Sequence, residues 1–189
     1  MRALLALMGV LVLASCASVS REECLAGDWV SIGQRDGASG QDGPAQFSRH
    51  IRACEKVAVV PDQSAWARGY QQGLVRYCTP AVGLEEGLAG RSYRGVCPVA
   101  TQARFLEGLN IGRAVYDQRQ VISEIDSELG SLSRAAPPAG TSPDGQAAFF
   151  ASNALEMRQL ELTRLIERNR LMALEREVAR YRAQLAAGG

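Results

Sequence analysis

Apolar and polar positions along most of this chain recur with helical spacing. Phe47, Ile51 and Cys54 stand at i, i+4 and i+7 behind Pro44, which suits a first helical turn. The spacing predicts a helix with Cys54 on its buried face and His50 on or beside the same stripe. A second helix is expected after Pro61-Asp62, capped by Asp62 or Ser64. Its stripe is Trp66, Tyr70, Leu74 and Tyr77, and it ends at Cys78-Thr79-Pro80, because proline cannot continue the hydrogen-bond ladder. Thr101 announces a third helix carrying Phe105, Gly108 and Gly112. Between these, two glycine-rich stretches read as turns and loops: one with Gly33, Gly37, Gly40 and Gly43, the other with Gly83, Gly87, Gly90 and Gly95. A short strand or helical turn is expected at Trp29 to Ile32. The spacing Trp66-x-x-Gly69-x-x-x-Gly73 returns as Phe105-x-x-Gly108-x-x-x-Gly112, best explained by helices whose glycines let backbones approach closely.

Beyond Gly112 the pattern tightens. Ile111, Val115, Gln118, Ile122, Ile125, Leu129 and Leu132 alternate at steps of four and three, a coiled-coil seam interrupted only by Gln118. Pro137-Pro138 through Gly145 breaks the helix, and a second long helix is expected from Ala147 to about Ala186. There Leu171, Leu174, Val178, Tyr181 and Leu185 repeat the three-four alternation, while Leu155, Leu160, Leu162, Leu165 and Ile166 cover a wider arc. Glu161 with Arg164, Glu167 with Arg170 and Glu177 with Arg180 read as i, i+3 pairs on exposed faces. The expected fold is therefore mainly α. A small Gly-rich, disulfide-stapled helical domain spans 28–112, followed over 113–189 by a long helical hairpin or coiled-coil arm with a Pro/Gly break near 137–145.

The N-terminus changes the setting. Met1-Arg2 is followed by an apolar run from Ala3 to Ala14, too short for the roughly 20 residues of a membrane span, so 1–15 reads as a secretory leader. Leu13-Ala14-Ser15-Cys16 resembles the lipobox of bacterial lipoproteins, in which the cysteine is acylated before cleavage. Cys16 is therefore the expected lipid site, 16–27 the lipidated N-terminus and tether, and the membrane the expected partner through that lipid. Ala17, where an aspartate would mark inner-membrane retention, points to the outer membrane and its periplasmic face.

Removing Cys16 leaves Cys24, Cys54, Cys78 and Cys97, an even number that in an exported chain reads as two disulfides. Three pairings are open; the shorter loops favour Cys24 with Cys54 and Cys78 with Cys97. A zinc site lacks both a C-x₂-C pair and a second histidine, and no set of carboxylates is spaced for calcium, so neither metal nor cofactor is expected. The 189 residues carry 21 Lys plus Arg against 20 Asp plus Glu, with Lys56 the lone lysine. Near-neutrality argues against nucleic acid as a partner.

A wider set of residues carries a resemblance. Asp28-Trp29, Ile32-Gly33, Asp36-Gly37, Gly40, His50, Cys54, Asp62, Trp66 with Gly69 and Gly73, Tyr77-Cys78-Thr79-Pro80, Gly83, Gly87, Gly90, Tyr93-x-Gly95-Val96-Cys97-Pro98, Phe105 and Gly112 together are similar to the bacterial lipoprotein family catalogued as domain of unknown function 2799. The resemblance implies a small exported domain with paired cysteines and a helical tail, and no assigned activity.

The polar residues worth testing are Asp28, Asp36, His50, Asp62 and Tyr93. Asp36-Gly37 suits a turn, and Asp28 and Asp62 suit helix caps. No nucleophile elbow, phosphate loop or dinucleotide frame is present, so no catalytic residue is assigned. The expected role is non-enzymatic: a structural or protein-interaction lipoprotein of the cell envelope, whose 113–189 arm meets an envelope protein, another copy of itself or the cell wall. The alternative is a periplasmic hydrolase or ligand-binding enzyme using His50 with Asp28 or Asp36.

Overall fold

In the computed structural model, which describes residues 18–188, helices begin where short polar side chains cap them. Ser20 and Glu23 form a reciprocal capping box at the start of α1 (Arg21–Ala26), and Asp28 accepts from Ser31 N at the start of α2 (Trp29–Ala38). Asp42 caps α3 (Gly43–Cys54), with Pro44 in its first turn, and a 3₁₀ turn (Glu55–Val57) follows. The Asp62 carboxylate accepts from Ala65 N and from the Ser64 hydroxyl at the head of α4 (Gln63–Tyr77). Thr79 caps α5 (Pro80–Leu88), while Pro98 precedes α6 (Val99–Arg134) and Ser142 caps α7 (Pro143–Ala187). No strand occurs among the described residues. The leader at 1–15 and Cys16 lie outside them.

The chain divides into two compact units between Leu74 and Val75. The division expected near Gly112 is not where the chain separates, because α6 passes through Gly112 unbroken and unites the second staple with the arm.

In the first unit α2 lies against α4 at glycine distance. A Cβ on Gly33 would stand 2.1 Å from the Trp66 carbonyl oxygen, one on Gly37 2.1 Å from that of Tyr70, and one on Gly69 2.0 Å from that of Val30. No side chain fits there, so glycine is required by the close approach. Of the two readings of Trp29 to Ile32 the helical one holds, and the correction falls on the glycines read as turns: the helix runs on to Ala38, and Asp36-Gly37 is helical and buried. Glycine's low helix propensity misled; packing against α4 overrides a penalty of about 1 kcal/mol per residue. α2 stops at Gly40 (φ 58°), where Gln41 N donates to Asp36 O and Gly40 N to Gly37 O. On α3 the buried places belong to Phe47, His50 and Cys54, whereas Ile51 is 40% exposed, so His50 takes the position expected for Ile51. The stripe Trp66, Tyr70, Leu74 and Tyr77 is buried as expected.

The second unit repeats the device. α5, in the stretch read as loop, is a helix whose Gly83 and Gly87 meet α6 at Gly108 and Gly112, with virtual Cβ atoms 2.1 to 2.2 Å from opposing carbonyl oxygens. It ends at Gly90 (φ 70°), where Arg91 N donates to Glu86 O and Gly90 N to Gly87 O, the same closure as at Gly40. The repeat seen between 66–73 and 105–112 thus has a second half: Gly33-x-x-Asp36-Gly37-x-x-Gly40 recurs as Gly83-x-x-Glu86-Gly87-x-x-Gly90. α6 starts at Val99, ahead of Thr101.

Leu84, Val115, Val178 and Tyr181 form the core of this unit, flanked by Leu88, Ile111, Leu171, Leu174 and Leu185. α6 and α7 run antiparallel, as the expected hairpin, joined through 135–142. Arg119 reaches Glu175 at 2.8 Å and Arg164 reaches Asp126 at 2.9 Å. Gln118 does not break the seam: its Nε2 donates to Glu167 Oε2 at 2.7 Å, a polar layer between the helices. Arg164 and Glu167, expected on exposed faces, therefore sit at seam positions. Such a polar layer fixes register more than it adds stability. Among the described residues the disulfides are Cys24–Cys54 and Cys78–Cys97, with Cα–Cα distances of 5.6 and 5.5 Å. Closing loops of this length contributes about 3 to 4 kcal/mol each by restricting the unfolded chain.

Candidate functional site

Asp36, the one buried carboxylate among the described residues, gathers polar side chains from two other helices of the first unit. α2 presents Asp36 at the C-terminal end of its glycine face, α3 presents Gln46 and His50 one turn apart, and α4 presents Trp66. Asp36 Oδ2 accepts from His50 Nε2 at 2.7 Å and from the Trp66 indole Nε1 at 2.8 Å, while Oδ1 accepts from Gln46 Nε2 at 3.1 Å. Gln46 in turn accepts from the Arg49 guanidinium through Nε (2.9 Å) and Nη2. Charge-assisted bonds of this kind satisfy a carboxylate that burial alone would disfavour. His50 is wholly enclosed, at 0% exposure, with its ring 6.4 Å from those of Trp29 and Trp66.

The second imidazole nitrogen points toward the N-terminal segment. His50 Nδ1 lies 2.8 Å from the Ser18 hydroxyl. With Nε2 paired to Asp36, Nδ1 is left to pair with the Ser18 hydroxyl. Val19, next in sequence, is 4% exposed, Ser20 closes the capping box and Cys24 is bonded to Cys54. The segment expected as a polar tether is therefore fastened to the unit from Ser18 onward.

Ser18, His50 and Asp36 have the connectivity of a hydroxyl–imidazole–carboxylate relay, but the imidazole is sealed. A relay must hand its proton to a leaving group, and His50 is fully buried behind Ser18 and the helices around it. His50 meets Asp36, one of the two carboxylates considered for it; Asp28 is instead exposed at the head of α2. Asp28 and Asp62 are held below the usual carboxylate range by the N–H and hydroxyl groups they cap: Ser31 for Asp28, Ala65 and Ser64 for Asp62. Tyr93 belongs to the other unit, where it packs against Phe105 at 5.2 Å and its hydroxyl accepts from Cys97 N at 2.9 Å.

Ser18, Gln46 and the Trp66 indole N–H were not singled out by sequence reasoning. Gln46 could have been: it stands four residues before His50, on the same helical face. Ser18 carried no signal, since its partner lies 32 residues away.

In the second unit Glu86 stands where the repeat places Asp36 in the first. Arg91 grips it through Nε and Nη2, both at 2.8 Å, and the Tyr77 hydroxyl bonds to it. Burial, and then the Glu86 charge, push the Tyr77 phenol up to about 12 from 10.0. A group whose pKa is raised on folding stabilises the fold fully below its unfolded value and loses that contribution as pH rises. The stability of this unit is thus expected to fall between pH 10 and about 12. In Tyr77→Phe that part of the decline should vanish, as read from urea midpoints by far-UV circular dichroism; an unchanged alkaline slope would remove Tyr77 as its source.

Among the described residues no group of three or more His, Cys, Asp or Glu is gathered as metal ligands, and no helix is long and apolar enough to cross a membrane. Compared with protein families, residues 28–114 match the one described as "Protein of unknown function (DUF2799)". Searches of curated proteins and of solved structures find no match.

Proposed function

Residues 28–114 belong to the DUF2799 family, and from that premise we propose that this chain is a non-catalytic lipoprotein of the bacterial envelope, held by a lipid on Cys16 at the periplasmic face of the outer membrane. Its helical hairpin is the surface that meets a protein partner, either an envelope protein or a second copy. The observation that carries the interaction role is a second apolar stripe on α7. The seam of α7 is already buried by α6, yet Leu155, Leu162 and Ile166 recur at i, i+7 and i+11 on the far side of the helix and are 67%, 58% and 65% exposed, with Leu165 beside them at 56%. Single exposed leucines need no explanation, but a file of them along one helical face is unusual for a soluble surface.

Changing Leu155, Leu162 and Ile166 together to serine is expected to abolish the crosslinked species formed by the protein in intact membranes. Thermal stability should move little, since the side chains are solvent-exposed. Undiminished crosslinking by a folded triple variant would take the stripe out of the account. The lipid is tested separately: labelled palmitate should enter the wild type and not Cys16→Ser. A second reading, acyl transfer at Ser18, is favoured by the Ser18–His50–Asp36 connectivity alone. Labelling by a fluorophosphonate, lost in Ser18→Ala, would establish it.

A further inference from the structure

The fastening of Ser18 has a geometric consequence for the lipid. Cys16 is two residues before Ser18, and two trans peptide units span at most about 7.6 Å between Cα atoms. An acyl chain on Cys16 would therefore bring the surface around Ser18 to the lipid headgroups. That surface is concave. A cavity of about 660 Å³ opens beside Ser18 and Ser20, floored by Val19, Ala53 and Val57. Its charged lining is Arg21, Arg35 and Lys56 against a single acid, Glu23. Glu23 is held by Arg35 at 2.6 Å and kept ionised below its ordinary range by the Ser20 N–H and that guanidinium. Three cations against one paired anion give the cavity a positive excess in a chain whose total charge is only +1. The Ser20 hydroxyl and an apolar floor complete a lining suited to a phosphate ester at the membrane surface.

We propose that this cavity is the membrane-facing surface of the first unit and takes the phosphate of an anionic phospholipid headgroup, so that the domain is seated on the bilayer and not merely leashed to it. The proposal rests on the lipid-anchor reading of Cys16. It also assigns a purpose to the buried cluster: Asp36 orients His50, and His50 holds the segment that leads to the lipid.

Lys56 provides the probe, because it is the chain's one lysine. The acylated full-length protein is exposed to an amine-acetylating reagent in neutral detergent micelles, in phosphatidylcholine vesicles and in vesicles containing phosphatidylglycerol. The rate at Lys56 is read by peptide mass. Acetylation is expected to be slower on the phosphatidylglycerol vesicles by roughly fivefold, the factor associated with one basic side chain at an anionic surface. Arg21→Gln should narrow the difference. Equal rates on the two kinds of vesicle would overturn the headgroup site. Loss of the anchor reading would look different: the N-terminal peptide would lack the mass of a diacylglycerol at Cys16. In that case the unacylated full-length chain is put through the same comparison, where slowing by phosphatidylglycerol sustains the cavity assignment and equal rates refute it.

Discussion

Gly69→Ala is expected to unfold the first unit at ambient temperature while leaving the long helices of the second largely in place. The added Cβ would stand 2.0 Å from the carbonyl oxygen of Val30 and 2.8 Å from its carbon, inside the range where something must shift. The obstructing atoms are backbone, so no side chain can rotate away. α4 would have to lift off α2, and Gly33, Gly37 and Gly73, which interlock with the same pair of helices, would lose their contacts together. Overpacking a core typically costs about 1 to 3 kcal/mol, and a clash against helical backbone belongs at or above the top of that range. A unit this small has a total stability on the order of 5 kcal/mol, and the clash together with the lost packing at Gly33, Gly37 and Gly73 reaches that sum. Both tryptophans, Trp29 and Trp66, lie in the first unit and are buried, so emission should shift to the red. Far-UV ellipticity, dominated by α6 and α7, should fall much less. Gly130→Ala is the contrast: its Cβ would meet only the flexible end of Arg134 at 3.3 Å, and higher helix propensity should stabilise α6 by about 0.5 to 1 kcal/mol. Native emission from Gly69→Ala at wild-type stability would mean that the helices are not in contact there.

These glycines also mark where sequence reading stopped. Apolar periodicity located α3, α4, α6 and α7, because each buries one stripe against a neighbour. α2 and α5 fill much of their buried stripe with glycine, beside Trp29 and Ile32 in α2 and Leu84 in α5, so the same periodicity was present but partly written in a residue that signals turns. Trp29, Ile32, Gly33, Asp36 and Gly37 do form a helical stripe once glycine is counted as a packing residue. The half-repeat at 66–73 and 105–112 was legible; the partner half at 33–40 and 83–90 was equally present in the sequence, yet its glycines were counted as punctuation. The staples were legible because loop length favoured the pairs found. The candidate site was only partly so. His50 on an apolar face could be read from spacing, and Asp36 was named as its possible partner. What could not be read was that Asp36 is interior, since its burial follows from α2 lying against α4. Nor could Ser18 be placed, because its bond to His50 depends on the Cys24–Cys54 staple drawing α1 to α3.

Asp36→Ala is expected to be the most damaging polar substitution in the chain, at about 3 to 5 kcal/mol. The reasoning is an asymmetry. A net hydrogen bond contributes only about 1 kcal/mol, whereas each buried donor left without an acceptor costs about 1 to 3 kcal/mol. Removing Asp36 strands the N–H groups of Trp66, His50 and Gln46 at once, in a cluster where His50 has no access to water. Ser18→Ala, by contrast, leaves one imidazole nitrogen short of one partner and should cost about 1 kcal/mol. The two effects should not add. Once Asp36 is gone the ring has nothing to orient it, so Ser18→Ala in that background should cost almost nothing, and a double-mutant cycle should give a coupling of about 1 kcal/mol. The measurement is urea unfolding followed by tryptophan emission, with disulfides intact. If Ser18→Ala costs as much as Asp36→Ala, or the cycle shows no coupling, the three residues do not act as one clamp. A coupled series in that order would instead mean that the buried histidine transmits the position of Asp36 to the segment that begins at Ser18.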